Sequence, residues 1–126
     1  MEHVAYLESP KQGIDRQAAL ELVGEDEELL AELAEIFLET LPEYLTQLRE
    51  ALAKSESHPL ERAAHALKGS VGNFCAQRAA QAAFRLEQIG RSGDLSQAAD
   101  ALTVLETELK FVVSDLESLS AQATTQ

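Results

Sequence analysis

From Leu30 onward, apolar residues recur at steps of three and four: Leu30, Leu33, Phe37, Leu41, Tyr44, Leu48 and Leu52. That spacing keeps one face of a helix buried. A second, longer seam runs through Leu95, Ala98, Leu102, Leu105, Leu109, Val112, Leu116 and Leu119. Two shorter stripes lie between them. One is Leu60, Ala63 or Ala64, Leu67, Val71 and Phe74; the other is Ala79, Ala83, Leu86 and Ile89. A brief apolar segment, RQAALELV from Arg16, precedes all four. No run alternates apolar and polar residues for the length of a strand, and no internal repeat is found.

The punctuation agrees with this division. Asp15 and Asp26 stand where N-caps belong, and Gly24 stands at a C′ position. Pro42 falls inside the second helix, where its missing amide cannot bond the Leu38 carbonyl, so a kink is expected. Pro59 suits the start of the third helix. Gly72-Asn73 marks an interruption or an end. The fourth helix is expected over about Cys75 to Ile89, closed by Gly90, with the loop RSGD supplying Asp94 as the cap of the fifth. Short connections make neighbouring helices antiparallel. The expected fold is all-α: an antiparallel four-helix bundle with a short additional N-terminal helix. Residues 1–14, which include Pro10 and Gly13, are expected to be an N-terminal arm. Residues 15–119 form the bundle, and 120–126 a disordered tail.

Composition narrows the setting. Hydrophobic residues make up 45% of the 126, enough for a core, and they are mostly leucine and alanine with no tryptophan. Such residues suit close-packed helices. No window holds eighteen continuous apolar residues, so no membrane span is expected. The start, MEHVAYLESP, lacks the basic and apolar regions of a signal peptide. A single cysteine, Cys75, excludes an intrachain disulfide and fits a reducing compartment. A cytoplasmic location follows as an expectation. The net charge of −12 argues against nucleic acid and anionic membranes as partners. The charge is uneven, however. The window from Arg62 to Arg91 holds Arg62, Lys68, Arg78, Arg85 and Arg91 against one acid, Glu87, a local balance of +4.

Inside this basic island lies AAHALKGSVGNF, residues 63–74. Glycine costs about 1 kcal/mol relative to alanine within a helix, so Gly69 and Gly72 need a reason. On a helix at about 100° per residue, Leu67 points away from His65, while Lys68 and Gly69 share its face. His65 is therefore expected on the outside of the bundle, beside a positive charge and bare backbone. An exposed imidazole offers a neutral nucleophilic nitrogen near physiological pH. A nearby ammonium stabilises an anionic group such as a phosphoryl during transfer. The chain has no P-loop, Gly-rich nucleotide loop or acidic metal motif, so a phosphoryl donor and its metal would come from a partner. The residues also fit a plainer account: a surface histidine, a solvated lysine and a glycine used in packing.

The stretch His65-Ala66-Leu67-Lys68-Gly69-Ser70 resembles the signature of histidine-containing phosphotransfer (HPt) domains, in which a histidine, a variable residue and a hydrophobe precede Lys-Gly-Ser or Lys-Gly-Ala. Ala63-Ala64, Phe74, the long helix with Phe37 and Pro42, and Arg85-Leu86-Glu87-Gln88-Ile89-Gly90-Arg91 also match the family pattern. The resemblance covers roughly residues 15–119. It implies that His65 is the phosphoacceptor, attacking a receiver phospho-aspartate through Nε2 and returning the phosphoryl to another receiver. It implies that Lys68 steadies phosphoryl charge and that Gly69 gives the receiver access. It also implies no cofactor of the chain's own, Mg²⁺ supplied by the receiver, and no autonomous kinase activity. The implied partners are response regulator receiver domains and a sensor or hybrid histidine kinase. One departure is Cys75, where many members carry glycine.

Two other functions compete with this reading. A non-catalytic helical adaptor would bind receivers or kinases without accepting phosphoryl; it predicts a missing or covered site residue. A bundle enzyme with an internal metal needs inward carboxylates and histidines, whereas Glu61 and His65 are four apart and outward on the wheel. Glu43, Glu50 and Glu61 read as solvated charges, and three histidines this far apart do not form a metal site. His58 reads as capping or solvated, and His3 has no nameable partner. Arg85 and Gln88, on the fourth helix, are candidates to flank the site. A free-standing monomer is the expectation for the assembly.

Overall fold

The computed structural model describes residues 12–124, with side chains through residue 121. Five helices follow one another: α1 (Arg16–Leu22), α2 (Glu27–Ala53), α3 (Ser57–Gly72), α4 (Gln77–Ser92) and α5 (Ala98–Thr124). Helix α2 packs on α3 and α5, and α4 packs on the same two, so the four long helices form a ring of antiparallel neighbours. Helix α1 rests on α2. No strand occurs among the described residues.

The apolar stripes meet along the bundle axis. Leu30, Leu48, Leu60, Leu67, Leu86, Leu105 and Leu116 are wholly buried, with Val71 and Val112. Phe37 of α2 meets Phe74 edge-on at a centroid distance of 5.8 Å, tying the long helix to the turn between α3 and α4. The buried faces of α3 and α4 carry small side chains (Ala63, Ala64, Ala79, Ala82, Ala83), which suits close helix packing.

The N-caps at α1 and α2 are as expected: Asp15 accepts from the Ala18 amide at 3.2 Å and Asp26 from the Leu29 amide at 3.0 Å. Helix α2 runs on through Pro42. The first three helices share one C-terminal device. The amide of Glu25 bonds the Leu20 carbonyl, that of Glu56 bonds Ala51, and that of Ala76 bonds Val71. In each, the preceding residue is left-handed: Gly24 (φ +68°), Ser55 (φ +54°) and Cys75 (φ +53°). Cys75 thus occupies a backbone position that favours glycine.

Three expected boundaries move. Gly90 does not close α4; it lies buried within it, and Gly93, at φ +80°, ends the helix at Ser92. Asp94 caps the turn ahead of α5, accepting from the Ser96 amide at 3.0 Å, and the helix itself starts at Ala98. The expected start of the tail at 120 moves too, since α5 continues through Thr124, while 125–126 lie outside the described residues. Most of the arm at 1–14, with His3, lies outside the described residues. Its last residues already belong to the fold. Ile14 joins the core and its amide donates to Asp115 at 2.9 Å, while the Asp15 amide donates to the Phe74 carbonyl at 3.2 Å. No helix among the described residues is long and apolar enough to cross a membrane.

Candidate functional site

Helices α3 and α4 are antiparallel, so residues that step up one face their partners stepping down the other. Three rungs result: Glu61 with Arg91, His65 with Glu87, and Lys68 with both Glu87 and Phe84. The two helices display these side chains at steps of three and four, the spacing that stacks residues along one helix face.

His65 projects outward, its side chain 66% exposed, while the Glu87 side chain is 3% exposed. The Glu87 Oε2 lies 2.9 Å from Nδ1 of His65 and 3.0 Å from the Arg91 guanidinium. The Lys68 ammonium is 2.8 Å from Oε1, forming an ion pair. It also sits 4.8 Å from the centre of the exposed Phe84 ring, a cation–π approach. Arg91 completes the chain by donating from Nε to Glu61 at 2.8 Å. One buried carboxylate therefore serves three cationic or protonatable partners. Burial pushes the Glu87 carboxyl up, but the contacts and charges of Lys68 and His65 outweigh it, and the group lies below its ordinary value near 4.5.

With Nδ1 facing a carboxylate, the neutral ring is held as the Nδ1–H tautomer, and Nε2 carries the free lone pair. Beside the ring, a Cβ placed on Gly69 or on Gly72 would meet nothing within 4 Å. Gly69 therefore opens the surface next to His65, and neither glycine is needed for internal packing. On the far side of α3, the Tyr44 hydroxyl of α2 and the Ser70 hydroxyl are 3.0 Å apart, fixing the motif's serine against the bundle.

His65, Lys68 and Gly69 therefore share one exposed face, as the helical wheel predicts. The flanking positions on α4 belong to Phe84, Glu87 and Arg91; Arg85 and Gln88 are exposed and make no contact with the site. Glu61 is not a plain solvated charge, because it is half-buried and bonded to Arg91. His58 is largely exposed, with Nδ1 3.9 Å from Glu61. Glu87 is the functional residue that sequence reasoning passed over. Its signal was present: it is the lone acid of the basic window, and it falls on the apolar face of α4, four residues after Ala83.

Comparison with curated proteins finds no match. Among solved structures, histidine-containing phosphotransfer protein B (HptB) from Pseudomonas aeruginosa PAO1 superposes with a TM-score of 0.82 at 24% identity, over 90% of this chain and 98% of that one. That likeness establishes the bundle fold. The family evidence is independent, for the Hpt domain profile matches residues 32–119. A match of that extent, over the helices that carry the site, places the chain in the Hpt domain family, the phosphotransfer proteins of phosphorelays.

Proposed function

We propose that His65 accepts a phosphoryl group from a receiver phospho-aspartate and passes it to the aspartate of another receiver. One observation carries this reading: an exposed imidazole whose Nδ1 is engaged by a buried carboxylate, leaving Nε2 facing solvent beside an open Gly69.

The chemistry follows from the tautomer. The Nε2 lone pair attacks phosphorus, the bond from phosphorus to the aspartyl oxygen breaks, and the aspartate leaves as a carboxylate. No proton has to depart from Nε2. The ring becomes a phospho-imidazolium that retains its Nδ1 proton, and the new positive charge lies against Glu87. Reverse transfer needs the same ring as a leaving group, and the retained proton keeps it a good one. Lys68, one rung away, has a flexible stem that can turn from Glu87 towards the phosphoryl oxygens. Gly69 gives the receiver's active-site loops room to bring the aspartate in line. Mg²⁺ is supplied by the receiver, where the acyl phosphate resides. The partners are receiver domains and the histidine kinases that feed them.

The test is transfer from a radiolabelled phospho-receiver to the wild type and to His65→Gln in parallel. Acid-labile, alkali-stable label on the wild type alone is the expected result. Absence of label on both proteins across a panel of receivers would support the adaptor function instead.

A further inference from the structure

Gly90 lies buried in α4, directly against the α3 backbone at Glu61. A Cβ built there would stand 2.7 Å from the Glu61 amide nitrogen, 2.9 Å from its Cα and 3.0 Å from its Cβ. Two of these three atoms are backbone, so no side-chain rotation relieves the overlap. Glu61 lies one turn before His65 on α3, and Gly90 lies three residues after Glu87 on α4. The tight backbone contact and the His65–Glu87 bond are thus adjacent rungs of one ladder.

We propose that Gly90 is a positioning residue: by letting α4 lie against α3 at Glu61, it brings the Glu87 carboxylate within bonding distance of His65 Nδ1. The proposal rests on the reading of His65 as the acceptor. Ordinary carbon contacts lie at about 3.5–4.0 Å, so a methyl group at Gly90 displaces α4 by roughly 1 Å. Helix α4 is continuous across Glu87, so the displacement is carried to the next rung. There the 2.9 Å bond has little slack, since a separation beyond about 3.5 Å no longer counts as a hydrogen bond. The Glu87 side chain is buried and shares its two oxygens among His65, Lys68 and Arg91, so reaching further for the imidazole disturbs the other pairs. Gly69 and Gly72, whose Cβ positions are open, provide the contrast: removing those glycines leaves the helix spacing alone.

The experiment reads the His65 ring directly. The full chain is labelled with ¹⁵N, and the ring nitrogens are recorded at about pH 8.5, where free imidazole is neutral. The His65 signals are assigned by their loss in His65→Gln. The wild type should show the Nδ1–H tautomer, and both Gly90→Ala and the reference variant Glu87→Ala should shift the population towards Nε2–H. Leu116→Ala, a core variant in α5 chosen for a lowered Tm, should keep the wild-type tautomer. Transfer from a phospho-receiver should slow by up to about a hundredfold in Gly90→Ala, the scale of a misplacement by about 1 Å. A wild-type tautomer in Gly90→Ala, or an equal shift in Leu116→Ala, would overturn the proposal and leave Gly90 a packing residue. If Gly90→Ala melts too low, the spectra are taken in sucrose, which favours the folded state without supplying an anion. Failure of the wild type to accept label would refute the acceptor reading, while the ring spectra would still decide the role of Gly90.

Discussion

The Glu87 carboxylate lies 2.9 Å from His65 Nδ1, joining a buried acid on α4 to an exposed imidazole on α3. The same carboxylate pairs with Lys68 and with Arg91. This arrangement reconciles two features of the chain. A basic island persists on an acidic protein because its one acid sits at the centre, out of water, where its charge is felt most strongly. The histidine meanwhile stays exposed for a partner without being free to choose its tautomer.

Glu87 makes stability depend on acid. Its carboxyl is held below the ordinary value near 4.5, with His65, Lys68 and Arg91 facing it. A group whose folded pKa is depressed stabilises the fold above its unfolded pKa, and that contribution is lost as pH falls through the folded value. The wild type should therefore exceed Glu87→Gln in stability at neutral pH, with the gap closing well below pH 4.5. Urea melts at about pH 7 and about pH 3 check this. A gap that is the same at both would show that the charge of Glu87 does not stabilise the fold.

His65→Gln should leave the fold nearly unchanged. The ring is exposed, and Glu87 keeps its two other cationic partners. Surface changes of this kind fall within about 0.5 kcal/mol. Thermal melting by circular dichroism reads it, and a loss of several kcal/mol would mean that the imidazole carries structure as well as chemistry.

Gly69 separates access from stability. Its position is helical and open, so Gly69→Ala should stabilise the fold by about 0.5–1 kcal/mol. Gly69→Leu should also fold well, yet its side chain would stand where the receiver approaches, so transfer should fall sharply. Melting and transfer measured on both variants would then move in opposite directions. Undiminished transfer in Gly69→Leu would show that the receiver does not use this side of His65.

Much of this was legible in the sequence, and for identifiable reasons. The seams of α2 and α5 are long, so a period of three and four fixes both their helicity and their buried face. The exposed side of α3 followed from Leu67 lying opposite His65. What depends on a second helix was not legible. Glu87 is buried only because α3 covers it, and Gly90 reads as a helix stop until its distance to Glu61 is known. Glycine supplies both chain ends and close contacts, and local sequence does not distinguish them; Gly93, three residues on, is the actual end. The residues just after Leu119 likewise gave no long apolar signal, although α5 continues to Thr124.

Cys75 offers the last test, because there the backbone and the side chain pull in different directions. At φ +53° an L-residue is strained, and the residue closes the turn that leads from α3 into α4. Glycine would relieve about 1 kcal/mol of that strain. It would also remove a partly buried side chain and add freedom to the unfolded chain. Cys75→Gly should therefore lie within about 1 kcal/mol of the wild type, the two effects offsetting. Cys75→Val keeps an apolar side chain but adds a β-branch in the left-handed region, which is a true outlier for such residues. It should be less stable by about 1–3 kcal/mol. Chemical denaturation of the three proteins decides the matter: equal stability of Cys75→Val and wild type would mean that the turn relaxes to another conformation. Burial also pushes the Cys75 thiol up, with Asp15 and Glu21 adding to it, so the group stays protonated and unreactive near neutral pH and the comparison is free of thiolate chemistry.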